Sequence, residues 1–249
     1  MSAIFDRRSV LAGIGVLLGG CATQGGFPLG AGFRNAAAYG PINDHGHEIP
    51  ALDLTRIDPA LLRQHTRFAG PYRPGTIVVN IGERRLYLVQ PGAVAIRYAV
   101  GVGREEALDF HGSAVIGRKA EWPRWSPTAD MIRRMPIYAR YANGLPGGIN
   151  NPLGARALYL YRGNRDTDFR LHGTNEPETI GTKVSSGCIR LFNQDIIDLY
   201  NRVPVGAPVV VLQEAPEPML RGDAEMDGYF DPFAPKPPGP YFPPAWGYE

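Results

Sequence analysis

Short apolar runs separated by turn residues constrain the fold of this chain more than any other feature. The runs at residues 76–81 and 86–89 flank Gly82-Glu83-Arg84-Arg85, an arrangement typical of a β-hairpin. From Val94 to Val100, apolar residues alternate with smaller or polar ones, which is the period of a strand with one buried face. Further strand-like runs lie at residues 114–116, 157–161, 169–172 and 208–212. The pattern predicts a mostly β domain with few helices, from about residue 74 to residue 213.

One helix is expected in this domain. Residues 194–202 place Ile196, Tyr200 and the following Val203 on one face, and Asn193 in front of them is a suitable N-cap. With 249 residues, 44% of them apolar and 20% charged, the chain is long enough for one domain of ordinary size with tails, but not for two large domains.

The start of the chain is typical of an export signal. Arg7-Arg8 precede an apolar run from Val10 to Leu18, which is shorter than the about 20 residues needed to cross a bilayer. The run leads into Leu18-Gly19-Gly20-Cys21, which resembles a bacterial lipobox, whose cysteine is lipidated and becomes the new N-terminus. We therefore expect residues 1–20 to be a lipoprotein signal peptide and Cys21 to be a lipid anchor. The alternative is an ordinary cleaved signal with an incidental cysteine.

Such an anchor predicts a periplasmic protein that is held on a membrane. Ala22 follows the cysteine at a position where an aspartate favours inner-membrane retention in some bacteria, so the outer membrane is favoured. The paired arginines also resemble a twin-arginine signal, and both the general and the twin-arginine export routes stay open.

Two further segments flank the predicted domain. Residues 21–73 are rich in glycine, asparagine and aspartate, and we interpret them as a tether and a loosely packed lead-in. His45 and His47 lie in this segment, but no third ligand follows at a defined spacing, so we interpret them as part of a polar loop and expect no metal site. Residues 214–249 are rich in proline and aromatic residues, and such a composition predicts a disordered tail that either binds a partner or covers the domain.

The charge of the chain argues against a nucleic-acid partner. Without residues 1–20, which contain two arginines and one aspartate, the chain has 24 basic and 23 acidic residues and a formal charge of +1. A nearly neutral chain without a basic cluster has little means of gathering phosphates.

The cysteine content is more informative than the charge. Cys21 and Cys188 are the two cysteines of the chain, and the first is expected to carry lipid, so Cys188 has no partner for a disulfide. A single thiol in an exported protein is a candidate reactive group, and the alternative is a small buried core residue.

The neighbours of Cys188 favour the reactive interpretation. His172 ends a predicted strand 16 residues earlier, and an imidazole near a thiol lowers its pKa toward the nucleophilic thiolate. Gly187 allows a sharp turn that brings main-chain N–H groups close to the thiol, where an oxyanion forms during attack on a carbonyl. Arg190 either binds a substrate carboxylate or pairs with an acidic neighbour. The combination suggests acyl transfer.

These residues resemble the active-site signature of a known family, the L,D-transpeptidase catalytic domain, also called the YkuD domain. The resemblance covers roughly residues 74–213 and includes the opening hairpin, the end of the next strand and the stretch before the histidine strand. The signature segments are His172-Gly173-Thr174, Ile180-Gly181 and Ser185-Ser186-Gly187-Cys188-Ile189-Arg190.

The resemblance implies a β-sandwich-like domain that acts on peptidoglycan stem peptides. Cys188 would attack the carbonyl after the L-centre of a stem tetrapeptide, release the terminal D-alanine and pass the acyl group to an amine. His172 would be the base and acid, with its ring oriented by the main-chain carbonyl of Gly173. Ser186, Gly187 and Cys188 would supply oxyanion donors, and Arg190 would bind near the reaction centre. No metal or organic cofactor is implied.

The chain departs from many family members at one position. They carry a second histidine just before the glycine of the cysteine motif, where Ser186 stands here. Members with a doubled serine occur, so we expect an active site in which His172 alone transfers protons.

Several rival functions stay open at this point. Water as the acceptor would make the protein an L,D-carboxypeptidase or an endopeptidase, and outer-membrane proteins are possible acceptors in place of stem peptides. A non-catalytic lipoprotein that binds the cell wall is a rival of a different class. A papain-like protease would need a histidine after the cysteine, and none follows Cys188.

Overall fold

The computed structural model describes residues 36–103, 110–185 and 187–213. The predicted signal peptide, the predicted lipidation site Cys21 and the predicted tail at residues 214–249 lie outside the described residues. Two α-helices occur in the described ranges, α1 (Ala129–Arg134) and α2 (Asn193–Arg202). The strands are β1 (Ile42–Asp44), β2 (His47–Ile49), β3 (Gln64–Arg67), β4 (Ile77–Asn80), β5 (Arg85–Gln90), β6 (Val94–Ala99), β7 (Val102–Gly103), β8 (Gly112–Glu121), β9 (Arg156–Arg162), β10 (Arg165–His172), β11 (Lys183–Ser185), β12 (Ile189–Arg190) and β13 (Pro208–Leu212).

Nine of these strands form one sheet in the order β12-β10-β9-β8-β13-β4-β5-β6-β3. The predicted hairpin is present, since β4 and β5 pair antiparallel from Ile77 opposite Leu88 to Asn80 opposite Arg85. Most neighbours are antiparallel, whereas β13 runs parallel to β4 and β12 runs parallel to β10. The β1–β2 and β7–β11 pairs form two small separate sheets. None of the described helices is long and apolar enough to span a membrane.

The sheet curves around one apolar core. Ile77 on β4 and Leu158 on β9 belong to the same fully buried cluster, although their strands are separated in the sheet by two others. Ile196 and Leu199 of α2 complete the cluster. Each such side chain contributes about 1.5–3 kcal/mol by leaving water. The mostly β, β-sandwich-like fold with few helices that the sequence predicts is therefore confirmed.

The lead-in differs from its prediction. From Ala36 onward it is folded against the domain, and β3 extends the edge of the main sheet by pairing with β6. The phenol of Tyr39 is buried and donates to both carboxylate oxygens of Asp195, at 3.0 and 3.2 Å. The interpretation as a loosely packed segment is wrong for these residues, because they are held by polar contacts to distant positions and by an apolar cluster that joins Tyr39 and Leu62 to Phe192 of the domain.

Asn193 also differs from its prediction. It is the first residue of α2, the N-cap position belongs to Phe192, and no side chain caps the helix. The Asn193 amide instead bonds to backbone groups of two other segments, Ala155 and Thr174. A side chain that can cap its own helix is used here to connect parts of the chain that lie far apart in sequence.

Candidate active site

The parallel pairing of β10 and β12 brings the histidine and cysteine segments together. Leu171 lies opposite Ile189, and both are in the buried core. His172 lies opposite Arg190, and because successive residues of a strand point to opposite faces, both point away from that core. Cys188 directly precedes β12, and its Sγ lies 3.9 Å from the main-chain oxygen of Asp168 on β10. If the register is extended by one residue, we expect Cys188 to lie beside Arg170 on the face that carries His172.

This register sets the separation of the two predicted catalytic residues. Neighbouring strands lie about 4.8 Å apart and rise about 3.3 Å per residue, so Cys188 and His172 have Cα atoms about 8 Å apart on the diagonal. A thiol and an imidazole on one face can meet across that separation. The pairing thus brings together two residues that are 16 positions apart in the chain.

The ring of His172 is held in one tautomer. Its Nδ1 lies 2.6 Å from the main-chain oxygen of Gly173, and since a carbonyl only accepts, Nδ1 carries the proton and donates it. This is the contact that the family resemblance implies. Burial lowers the pKa of His172 to about 3, with further lowering by Arg190 and Arg170 and opposition from the Gly173 hydrogen bond. The imidazole is therefore neutral near pH 7, with the lone pair of Nε2 available.

The thiol of Cys188 is neutral as well. Burial raises its pKa, while the Arg170 guanidinium, a backbone hydrogen bond from Arg170 and the charge of Arg190 oppose that rise. Its Sγ lies 3.9 Å from the main-chain oxygen of Asp168. The pKa shifts of both side chains thus favour their neutral forms.

The sequence did not indicate that Asp168 and Arg170 lie next to Cys188. The register of β10 against β9 shifts between Asp166 and Arg170, and Asp168 within the shift has a positive φ of 64°. Such a bulge redirects the strand locally, which aims the backbone of Asp168 and Arg170 at Cys188. The sequence offers no local signal for it, because residues 165–172 show no glycine or proline at the bulge.

The backbone conformation at position 187 requires a glycine. Its φ of 121° is in the region that side chains disfavour, directly before the thiol. Ser186, the other predicted oxyanion donor, lies outside the described residues.

The guanidinium of Arg190 pairs with an acidic neighbour. Its Nη1 donates to Glu176 Oε2 at 2.8 Å and to Thr179 Oγ1 at 3.4 Å. Its main chain exchanges two hydrogen bonds with Gly101, whose N–H and oxygen lie 2.9 and 2.8 Å from their partners. Of the two alternatives left by the sequence, the structure favours the acidic neighbour, and a contact of Arg190 with substrate stays a prediction.

A cleft of about 180 Å³ opens beside the histidine loop. Its walls come from the lead-in, the loop before β9, the residues that follow Gly173 and the start of α2, and all its lining side chains are apolar or uncharged. The lining residues are Ile49, Pro50, Leu52, Ile149, Asn150, Thr174, Asn175, Pro177, Asn193 and Gln194.

His45 and His47 lie apart from this site and interact with other side chains. His45 Nε2 is 3.0 Å from Glu121 Oε2, and the His47 ring stacks at 4.1 Å on Trp122. Among the residues that the structure describes, no three His, Cys, Asp or Glu side chains are grouped so as to hold a metal ion.

Comparison with known proteins identifies the family of the chain. The family model of the L,D-transpeptidase catalytic domain (YkuD) matches residues 74–211. The probable L,D-transpeptidase ErfK/SrfK of Escherichia coli K12 is 37% identical in an alignment of 146 residues that covers 55% of this chain and 44% of that protein. The probable L,D-transpeptidase YbiS of the same strain is 35% identical in an alignment of 161 residues that covers 61% of this chain and 48% of that protein. The chain therefore covers about half the length of these relatives.

A solved structure from Brucella melitensis, described as a probable carnitine operon oxidoreductase caia, is 50% identical and covers 64% of this chain and 99% of its own. Its TM-score of 0.44 is too low to support an inference about the present chain, and the activity in its description refers to that protein only. The family model, by contrast, spans more than half of the chain and includes His172, Gly173, Cys188 and Arg190. The chain belongs to the L,D-transpeptidase catalytic domain (YkuD) family.

Proposed function

We propose that the protein is a peptidoglycan L,D-transpeptidase with Cys188 as its nucleophile. Its donor substrate is a stem tetrapeptide, and its acceptor is the amine of a second stem, which yields a 3-3 cross-link. The support comes from family membership and from the pairing of β10 with β12, which brings the chain segments of His172 and Cys188 side by side.

In the first half-reaction, Nε2 of His172 takes the thiol proton while Sγ of Cys188 bonds to the carbonyl carbon that precedes the terminal D-alanine. Main-chain N–H groups at Ser186, Gly187 and Cys188 stabilise the oxyanion. The C–N bond then breaks, His172 returns its proton to the leaving amine, and a thioester remains. The imidazolium that forms in between is stabilised by the oxyanion beside it, which offsets the burial that lowers the pKa of His172.

In the second half-reaction, an amine attacks the thioester and His172 accepts its proton. The acyl group moves to that amine, and the Cys188 thiol is restored. Water in place of the amine would release a tripeptide, and an amine of an outer-membrane protein would attach that protein to the wall.

The single observation that carries the proposal is the hydrogen bond from His172 Nδ1 to Gly173 at 2.6 Å. It leaves Nε2 unprotonated on the face that carries Cys188, which is the arrangement a general base needs.

The test is to incubate the full chain in detergent with disaccharide-tetrapeptide and to read the products by mass spectrometry. We expect dimers joined between third-position residues, with loss of D-alanine, and at least about a thousandfold lower rate in Cys188→Ala. Cys21→Ala is the matched control, since it removes the other thiol and should keep the activity. Tripeptide alone would replace the proposal with an L,D-carboxypeptidase.

A second experiment distinguishes this enzyme from a rival of a different class, a non-catalytic lipoprotein that binds the wall. Carbapenems acylate cysteine enzymes of this family, so the intact protein should gain the mass of one adduct at Cys188. Absence of both adduct and turnover would favour the inert binder.

We also propose that the protein is anchored in the periplasm, on the outer membrane, through lipidated Cys21. The support is the sequence around Cys21 alone. Mass spectrometry of the N-terminal peptide should show the lipid, and Cys21→Ala should release the protein into the soluble periplasmic fraction. An unmodified peptide would contradict the anchor.

A further inference from the structure

Asn193 connects the two backbone segments that meet behind His172. Its Oδ1 accepts from the N–H of Ala155 at 2.9 Å, and its Nδ2 donates to the oxygen of Thr174 at 2.9 Å. The side chain is buried. One amide therefore satisfies a donor just before β9 and an acceptor just after β10, and neither bond belongs to the helix that Asn193 begins.

Two glycines leave the space in which the Asn193 amide lies. A Cβ on Gly173 or on Gly154 would lie 2.2 Å from Asn193 Oδ1, far inside van der Waals contact. The Asn193 amide thus occupies the volume that side chains at these two positions would take, and it packs directly against the Gly173 backbone.

Hydrogen bonds hold the backbone at Gly173 and at the residue that follows it. The Gly173 N–H donates to Arg156 at 3.0 Å, its oxygen accepts from His172 Nδ1 at 2.6 Å, and the next carbonyl, that of Thr174, is held by Asn193. We therefore expect the direction of the Gly173 carbonyl to depend on Asn193, which holds the peptide that follows. That carbonyl in turn selects the tautomer and the ring orientation of His172.

We propose that Asn193 is a positioning residue for the reaction. Its amide holds the Gly173–Thr174 backbone so that His172 keeps its proton on Nδ1 and its Nε2 lone pair toward Cys188. The inference rests on the proposed function of His172 as the base. A base displaced by about 1 Å can lose about a hundredfold in rate, so loss of the amide should act on turnover more than on substrate binding.

A second buried asparagine supplies a matched control. Asn151 is 1% exposed and bonds to the backbone of Pro123, Pro146 and Leu153, at 3.0, 2.9 and 2.8 Å. It connects loop segments as Asn193 does, but none of its bonds reaches residues 172–174. Both replacements by alanine should lower thermal stability, and only one should disturb the histidine.

The first experiment compares Asn193→Ala and Asn151→Ala in the full chain by the disaccharide-tetrapeptide assay. We expect Asn193→Ala to lower kcat at least thirtyfold with KM within threefold of wild type, and Asn151→Ala to keep kcat within threefold. Retention of kcat in Asn193→Ala would overturn the proposal. So would an equal loss of kcat in Asn151→Ala.

A double-mutant cycle with Gly173 tests the contact itself. Gly173→Ala forces the amide away and should lose kcat as Asn193→Ala does. Removal of the asparagine takes away the 2.2 Å contact of the new methyl group and leaves milder ones with Ala155 at 3.0 Å and Ile196 at 3.1 Å. The double variant should therefore lose clearly less than the product of the two single losses. Losses that multiply in the double variant would mean independent effects and would contradict the proposal.

Ring-nitrogen NMR of His172 separates this inference from the proposed function, because it needs no turnover. Wild type should show a protonated Nδ1 and an unprotonated Nε2, and Asn193→Ala should show a mixture of tautomers. If wild type transfers no acyl group, the proposed function fails, and these spectra alone decide on Asn193. An unchanged spectrum in Asn193→Ala would overturn its positioning role.

Discussion

The domain from residue 74 to 213 and the lead-in from residue 36 to 73 are stabilised in different ways. In the domain, strand ladders enclose an apolar cluster in which Leu158, among others, is fully buried. The lead-in shares a smaller apolar cluster with the domain and adds long-range polar contacts, such as the bidentate pair of Asp44 with Arg156 at 2.6 and 2.8 Å. A segment without an apolar period can therefore be ordered by partners more than a hundred residues away.

The polar contacts of the lead-in also end close to the candidate site. The oxygen of Arg156 accepts from Gly173, and Tyr39 bonds to Asp195, two residues after Asn193. The domain supplies β10, which ends at His172, and β12, which follows Cys188. The lead-in contacts residues that adjoin these strands.

The largest difference between the regions should come from leucine truncation. Leu158→Ala empties a fully buried position and should lower the free energy of unfolding by about 2–5 kcal/mol. Leu54→Ala in the lead-in removes a half-buried side chain and should cost less than half as much. Urea denaturation of both variants measures the difference. Equal losses would mean that the lead-in is held by apolar packing after all.

A smaller loss is expected at the ion pair that holds the lead-in. Asp44→Ala leaves the buried guanidinium of Arg156 without its carboxylate and should cost about 3 kcal/mol. Asp53→Ala is the matched control, because Asp53 bonds only within its own turn, to Thr55, among the described contacts. Its urea midpoint should stay close to wild type.

The Arg156→Met exchange sharpens this prediction. If the cost of Asp44→Ala arises from an uncompensated buried charge, the double variant Asp44→Ala/Arg156→Met should regain much of the lost stability. If the losses of the two single variants add in the double variant, the cost of Asp44→Ala does not arise from the buried charge of Arg156.

A further prediction concerns pH and the carboxyl group of Asp195. Burial raises its pKa to about 7 in the folded protein, whereas an unfolded aspartate titrates near 3.8. The native state binds more protons between these values, so this group's contribution to stability is present below about pH 4 and is lost as pH rises to about 7. His172, with its pKa lowered to about 3, acts in the opposite direction, so wild type alone does not isolate Asp195.

Urea midpoints of wild type and Asp195→Asn at several pH values between 4 and 8 isolate the contribution. The variant should gain stability relative to wild type as pH rises through this window. A constant difference would contradict the raised pKa of Asp195.

Much of the fold and part of the site follow from sequence. The runs around Ile77, Leu88 and Leu158 have the period or the apolar density of strands, because those properties depend on adjacent residues. The combination of His172 and Cys188 with their glycines identified the family. The bulge at Asp168 and the pairing of Asp44 with Arg156 were missed, since neither has a local signal.

Asn193 shows why the remainder could not be predicted. A polar residue before an apolar helical run favours an N-cap, and nothing in the neighbouring residues indicates that its amide bonds to Ala155, 38 positions away. The position of such a group depends on which strands pair and in which register.

The sequence by itself determined the strand periods and the family and predicted a reactive cysteine with its histidine, because these are properties of near neighbours in the chain. Only the tertiary structure decided that the His172 strand pairs with the strand that follows Cys188, that Arg190 pairs with Glu176, and that the lead-in folds against the domain. These arrangements depend on the register of β10 with β12 and on contacts across the chain, and a shift of one residue would turn the same side chains to the opposite face.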